Sequence, residues 1–279
     1  MSLLNIGMSG LSASHASLVT TGNNISNVDT VGYSRQQTVQ GTKGSIQYGN
    51  VFIGTGTTLS DVRRVYNSYL DAQLQTTTSL NSDAQAYLGQ ATQVDKLLSD
   101  GSTGISKTLQ SFFSSLQTLF GNANDTAARQ ALLTNAQGLS SRFNAISQQL
   151  TQQGSYINDQ LGSMAEQVNK LAATVASYNK KISEVSGSGG TPNELLDQRN
   201  ETVRQLSELV GTQVTENNGS LDIYLGSGQP LVIGNTVNAL RVEADKADPT
   251  RSAIIMDRGS STIDITSVVS GGEMGGLLR

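Results

Sequence analysis

From position 125 to position 185 the chain carries no proline, and its apolar residues keep a helical rhythm throughout. Leu132, Ala136, Leu139, Phe143, Ile146 and Leu150 recur at alternating steps of four and three. Ile157, Leu161, Met164, Val168, Leu171, Val175, Tyr178, Ile182 and Val185 resume the alternation after what reads as a stutter near Ile157. Such a repeat specifies a long helix whose single apolar seam must lie against other helices. Asp125, whose carboxylate can accept from the first free amides, is the expected N-cap. At ~1.5 Å per residue, a helix of about 60 residues is roughly 90 Å long, far beyond what a compact domain needs. The sequence therefore predicts a mainly α fold with a β-rich module, built around an elongated antiparallel helical bundle.

Residues 3–28 predict a helix of another kind. Leu4, Leu11, Leu18 and Ile25 recur every seven residues, and Gly7, Ser14 and Thr21 follow the first three of them at a distance of three. So narrow a seam, flanked by small residues, suits an amino-terminal coiled-coil helix with a close partner. An ordinary amphipathic surface helix is the alternative. Burying the four seam side chains stabilises by about 6–12 kcal/mol at ~1.5–3 each. Fixing the backbone costs roughly 1–2 kcal/mol per residue, so this Ser-, Thr- and Gly-rich segment is expected to be ordered by an assembly or a partner helix. Asn23, Asn24, Ser26, Asn27, Asp29, Thr30 and Gly32 then gather side chains that bond their own backbone, which ends the helix before Tyr33. The expected organisation is an assembly helix over 1–33, an extended or hairpin linker over 34–61, a helical bundle over 62–210 and a β-rich segment over 211–279.

Within the bundle, Tyr66, Leu70, Leu80, Ala84, Tyr87, Ala91, Val94 and Leu98 mark one helix, interrupted by a threonine run at 76–78. A break is expected over 101–104, and a shorter helix bearing Ile105, Leu109, Phe112, Phe113, Leu116 and Phe120 closes at Gly121. The glycine-rich stretch 187–190 ends the long helix. Thr191, Pro192 and Glu194 then read as a capping box, with Thr191 as N-cap, Pro192 at N1 and Glu194 reaching back from N3. Strands are expected at 213–216, 221–225, 231–233, 239–242, 253–256 and 263–268, joined by turns such as Asn218-Gly219 and Gly234-Asn235. These form a small antiparallel meander or sandwich.

Charged residues make up 14% of the chain, against about 25% in ordinary soluble domains. A polar but weakly charged surface suits contact with other protein. The net charge is -4, and no basic cluster exceeds Arg63-Arg64 or Lys180-Lys181, which argues against nucleic acid. The absence of cysteine removes disulfides, thiol catalysis and the common zinc sites together. His15, the single histidine, has no neighbouring carboxylate to orient it as a general base. Asp197, Glu201 and Glu208 share a helix with Arg199 and Arg204 and read as solvated pairs rather than a metal cluster. The glycines of 41–56 lack the Gly-Lys-Ser/Thr ending of a phosphate loop. No catalytic residue, metal or cofactor is expected, and the chain reads as a non-enzyme. Its first positive residue is Arg35, and polar residues interrupt 3–28 too often for a signal segment or membrane insertion.

Ser9, Gly10, Leu11, Ser12, Ala13, Leu18, Asn23, Asn24, Ile25, Ser26, Asn27, Thr30, Gly32, Tyr33, Ser34 and Arg35 together resemble the amino-terminal signature shared by flagellar rod, hook and hook-associated axial proteins. Within that group, Ala-Ala-Arg-Gln-Ala-Leu at 127–132 and Asn-Glu-Leu-Leu-Asp-Gln-Arg at 193–199 are similar to the hook-associated protein 1 family. The resemblance covers essentially the whole chain. It implies a structural subunit of the bacterial flagellum that passes through the flagellar export apparatus with an export chaperone and without a cleaved signal peptide. Such a subunit would self-associate in a ring at the extracellular hook-filament junction, between hook protein and hook-associated protein 3. The seam of Leu4, Leu11, Leu18 and Ile25 would face neighbours in the inner tube. Members of the family continue into carboxy-terminal helices that return along the amino-terminal one, so this chain resembles the outgoing half. The alternatives are another rod or hook subunit, or a secreted or surface coiled-coil adhesin or interaction protein.

Overall fold

The computed structural model describes residues 3–99 and 104–279, which form a mainly α fold with small antiparallel sheets. Helix α1 (Leu3–Ser26) leads into strands β1 (Gln36–Thr42), β2 (Ser45–Tyr48), β3 (Val51–Gly54) and β4 (Thr57–Arg64). Helices α2 (Ser68–Ser99), α3 (Ile105–Gly121), α4 (Thr126–Gly187) and α5 (Asn193–Leu209) follow. Helix α2 passes through the threonine run without a break. Apart from Gly104, the N-cap of α3, the break expected over 101–104 lies outside the described residues.

Helix α4 is a single element of 62 residues. Asp125 caps it, its Oδ1 accepting the Ala127 N–H at 2.8 Å. The expected stutter does not occur. Gln153 holds the heptad step between Leu150 and Ile157, and its amide donates to Oε1 of Gln90 on α2 at 2.8 Å. A polar residue with a polar partner keeps the repeat in phase. Along the seam Leu161, Met164, Val168, Val175 and Ile182 are buried, whereas Phe143 and Leu150 remain exposed.

The chain divides into two compact units, one of residues 1–78, 169–207 and 212–238, the other of 79–168, 208–211 and 239–279. In the first unit, β5 (Thr212–Asn217), β6 (Ser220–Leu225), β7 (Gln229–Ile233) and β8 (Thr236–Val237) form an antiparallel meander. The β5–β6 turn needs two left-handed residues, and Asn218 (φ 51°) with Gly219 (φ 80°) supplies them. Val175, Val203, Leu206, Ile223, Leu225, Leu231 and Val232 make the core.

The second unit holds the sheet of β9 (Leu240–Ala244), β10 (Ser252–Arg258) and β11 (Ser261–Asp264), with β10 central, and the short helix α6 (Gly272–Leu277). The β-rich segment thus holds two small antiparallel sheets, each bonded to its own stretch of α4. Asn179 reaches the Leu221 carbonyl at 2.9 Å in the first unit, and Asn158 the Thr250 carbonyl at 2.9 Å in the second. The strand expected over 263–268 stops at Asp264, whose Oδ1 accepts the Thr266 N–H at 2.9 Å and hydroxyl at 2.6 Å in a tight turn.

Helix α2 reverses its expected orientation. Leu70, Leu80 and Tyr87 are exposed, while Gln75, Ser79 and Asp83 are buried. Asp83 accounts for the roll: its carboxylate takes the Gly271 N–H at 3.2 Å and the Arg279 guanidinium at 2.8 Å. Helix α6 seats against it so closely that a Cβ on Gly276 would stand 2.3 Å from the Asp83 carbonyl oxygen.

Candidate assembly surface

Helix α1 separates two stripes. Ser9, Ala13, Ser17, Thr20, Asn23 and Asn24 turn toward the ribbon of β1 and β4 and are half-buried, with Ala13 buried. Leu4, Leu11, Leu18 and Ile25 turn away and are 66–75% exposed. This is the reverse of ordinary amphipathic packing, in which the apolar stripe is covered.

Hydrogen bonds account for the inversion. Ser9 Oγ accepts the Thr57 N–H at 3.2 Å, and its hydroxyl sits where a Cβ on Gly56 (φ +117°) would lie 2.3 Å away. Ser17 and Thr38 hydroxyls meet at 3.0 Å, and Gln40 donates to Ser17 Oγ at 3.0 Å. Asn24 behaves like a missing strand residue. Its amide donates to the Gln36 carbonyl at 2.8 Å, and its Oδ1 accepts the Gln36 N–H at 2.8 Å. Tyr33 also donates to Asn24 Oδ1, at 2.8 Å, and accepts from the Asn23 amide at 3.3 Å. Asn27 donates to Asn23 Oδ1 at 2.9 Å and accepts the Thr30 hydroxyl at 3.3 Å. Burial, then Asp197 and Glu194, raise the Tyr33 pKa, which keeps the phenol a donor.

The signature residues thus close an intramolecular joint. Gly10 is half-buried with open space where a Cβ would be, and Ser26 is exposed and bonds back to the Gly22 carbonyl. The expectation that residues 1–30 depend on an assembly or a partner helix for order meets an unforeseen partner, the chain's own β-ribbon.

Two distant motifs meet at the end of this joint. Asp197, in the 193–199 segment, accepts the Ser34 N–H at 2.9 Å through Oδ2 and the Arg64 guanidinium at 2.8 Å through Oδ1. Gly32 (φ +79°) lies against Glu201, where a Cβ would stand 2.8 Å from the Glu201 Cβ. The reading of the α5 charges as solvated pairs is corrected for Asp197 and Arg199, which are buried. Asp197 pairs with Arg64 rather than with its own helix, because the ribbon delivers that guanidinium into the joint. Glu201 does pair locally with Arg204, at 2.6 Å.

The capping box is also corrected. Helix α5 begins at Asn193, with the Leu196 N–H on the Pro192 carbonyl at 3.0 Å, and the Thr191 hydroxyl donates to Asp61 Oδ1 at 2.9 Å. The Thr191 hydroxyl thereby gives its proton to a carboxylate in a charge-assisted bond to the ribbon. Glu194 lies in the first turn, where its charge suits the helix dipole.

His15 is exposed on α1. Among the described residues no three His, Cys, Asp or Glu side chains converge to hold a metal ion, and no helix is long and apolar enough to cross a membrane. What the geometry offers is an uncharged leucine face held in place by a polar joint.

Residues 91–279 match the family model described as the flagellar hook-associated protein FlgK helical domain. The chain belongs to the flagellar hook-associated protein FlgK family. Its residues 4–33 also match the flagella basal body rod protein model, the stretch that holds α1 and its signature. Flagellar hook-associated protein 1 of Salmonella typhimurium strain LT2 is 38% identical over 99% of this chain and 51% of its own length. The Escherichia coli K12 protein of that name is 36% identical over 99% of this chain and 52% of its own length. The chain therefore spans about half the length of these FlgK-family relatives. The solved flagellar hook junction protein FlgK of Burkholderia pseudomallei superposes with a TM-score of 0.65 at 35% identity, covering 76% of this chain and 38% of that one.

Proposed function

We propose that this chain is a structural, self-assembling subunit of the bacterial flagellum that works at the junction of hook and filament and carries no catalytic activity. The observation that carries the reading is the inverted helix α1. Its polar stripe is used up inside the chain, while Leu4, Leu11, Leu18 and Ile25 stand bare on a helix without Asp, Glu, Lys or Arg. Membership of the FlgK family supplies the setting.

In this reading the seam packs against neighbouring copies in a ring, with hook protein on one side and hook-associated protein 3 on the other. The subunit reaches the cell exterior through the flagellar export apparatus, escorted by an export chaperone and keeping its amino terminus. The family signature Ser9, Asn23, Asn24, Asn27, Thr30 and Tyr33 sets the angle at which α1 presents the seam.

The test is Leu11→Asp combined with Leu18→Asp in the flagellar protein expressed in cells. The variant should accumulate at normal levels, be missing from purified hook-filament junctions and abolish motility. Incorporation at the native level would sink the seam as the assembly surface.

A further inference from the structure

Helix α1 and the ribbon of residues 36–64 are tied to each other by Ser9 with Thr57, Ser17 with Thr38 and Asn24 with Gln36. Together they form one arm, which the chain leaves at Val65. Those bonds fix α1 on the ribbon, but they do not fix the ribbon on the rest of its unit. A backbone crossing leaves the direction of such an arm free, because two dihedrals of each linking residue are soft. Side-chain contacts must set it.

One face of α5 supplies them. Asn193, Asp197 and Glu201 stand four residues apart and so line one side of the helix. The Asn193 amide donates to the Val62 carbonyl at 2.6 Å, and Gly32 rests against Glu201. Between them the Asp197 carboxylate, only 5% exposed, uses each oxygen once. Its Oδ2 takes the Ser34 N–H, from the stretch that joins α1 to β1, and its Oδ1 takes the guanidinium of Arg64, the last residue of β4. Arg64 is itself held over the Tyr66 ring, 4.6 Å from its centroid. A single carboxylate thus grips the arm where it enters the ribbon and where it leaves. The seat is narrow, however. Clefts of about 770 and 360 Å³ flank it, and Val31, Gly32, Asp197 and Glu201 line both. An element held by close packing leaves no such space, so a charge-assisted contact does here what packing does elsewhere.

We propose that Asp197 is the positioning residue of this arm: it fixes the direction in which α1 and the ribbon, and with them the leucine seam, stand on α5. A buried ion pair resists being opened from one side, because the remaining charge is left without compensation. The arm therefore keeps one direction as long as the carboxylate is present. The use of that direction in assembly rests on the junction reading; the direction itself does not.

The chain has no cysteine, so spin labels can be placed on it singly or in pairs. His15→Cys with Gln37→Cys reports a distance inside the arm, and His15→Cys with Thr215→Cys reports one from the arm to the β5–β8 meander; all three sites are exposed. In double electron-electron resonance, Asp197→Asn and Arg64→Gln should each widen the arm-to-meander distribution about two-fold or more, as release of a hinge does, and leave the internal one unchanged. Asp197→Ala, which also frees the Ser34 N–H, should widen it most. Asp197→Asn combined with Arg64→Gln should widen it no further than either alone, because both break the same pair. Unchanged arm-to-meander distances in the single variants, or equal widening inside the arm, would overturn the proposal. In cells, Asp197→Ala should accumulate yet enter hook-filament junctions several-fold less than the native protein, although its leucines are intact. Widened distances with native incorporation would support the pin and count against the seam as the assembly surface, so the two readings fail separately.

Discussion

The guanidinium of Arg199 on α5 donates to Oδ1 of Asn179 on α4 at 3.0 Å, in a buried contact that pins the β5–β8 meander. The same guanidinium nitrogen reaches the Gly219 carbonyl at 2.7 Å, and Asn179 bonds Leu221 through both its amide and its oxygen. Burial lowers the Arg199 pKa to about 10, and its Nε has no protein partner. Asn179→Ala would strand the Leu221 amide and the arginine together, at about 1–3 kcal/mol for each unsatisfied group. A loss of about 2–4 kcal/mol is expected in urea unfolding. Arg199→Met should cost less, since it removes a buried charge along with its bonds. The reverse order would show that the arginine, not the asparagine, is the pin.

The Asn24 joint can be loosened without touching the seam. Asn24→Ala removes both bonds to Gln36 and the acceptor for Tyr33. Amide exchange over residues 3–26 should accelerate, while the meander keeps its protection. Unchanged exchange in α1 would mean that the ribbon contributes nothing to holding it.

The seam should be silent in the isolated chain. Its leucines are exposed, so Leu11→Asp with Leu18→Asp should shift unfolding by no more than about 0.5 kcal/mol. A larger loss would reveal that the seam is already covered within the chain.

Glycine substitutions should change sign with position. Gly276→Ala forces a Cβ to 2.3 Å from the Asp83 carbonyl and should cost more than about 2 kcal/mol, as overpacking does. Gly162→Ala, inside α4 with nothing within 4 Å of the new atom, should stabilise by about 0.5–1 kcal/mol. Differential scanning calorimetry of both variants is the check.

Acid should destabilise the chain through Asp61 and Glu201. The Arg63 hydrogen bond, with that of Thr191, holds Asp61 below its ordinary 3.8, and the Arg204 hydrogen bond holds Glu201 below its ordinary 4.5. A depressed folded-state pKa gives stability that is complete above the ordinary value and is lost as pH falls through the depressed one. Urea midpoints should therefore be flat from neutrality to about pH 5 and decline below it. Glu201→Gln should flatten part of that decline; an identical slope would remove Glu201 from the account.

Local signals were legible in the sequence. Asp125 caps α4, Gly121 closes α3, and Asn218-Gly219 turns β5 into β6, because each depends on atoms a few residues apart. The Thr191 contact was not legible, because the Asp61 carboxylate that its hydroxyl meets lies 130 positions away. The joint at Asn24 was legible only as a helix stop, since its side chain gave no sign of bonding Gln36 rather than its own backbone.

The sequence by itself determined where helices α1 to α5 run, how long α4 is, and that Leu4, Leu11, Leu18 and Ile25 share one stripe, whereas it gave no sign of the short helix α6. Those follow from periodicity and caps, which act within a turn or two. Only the tertiary structure decided which stripe is covered. Helices α1 and α2 turn polar faces inward because their partners, the Gln36 backbone for Asn24 and the Gly271 amide for Asp83, are positioned by long-range folding. A heptad states that an apolar stripe needs company; whether the company belongs to the same chain is settled by three-dimensional packing.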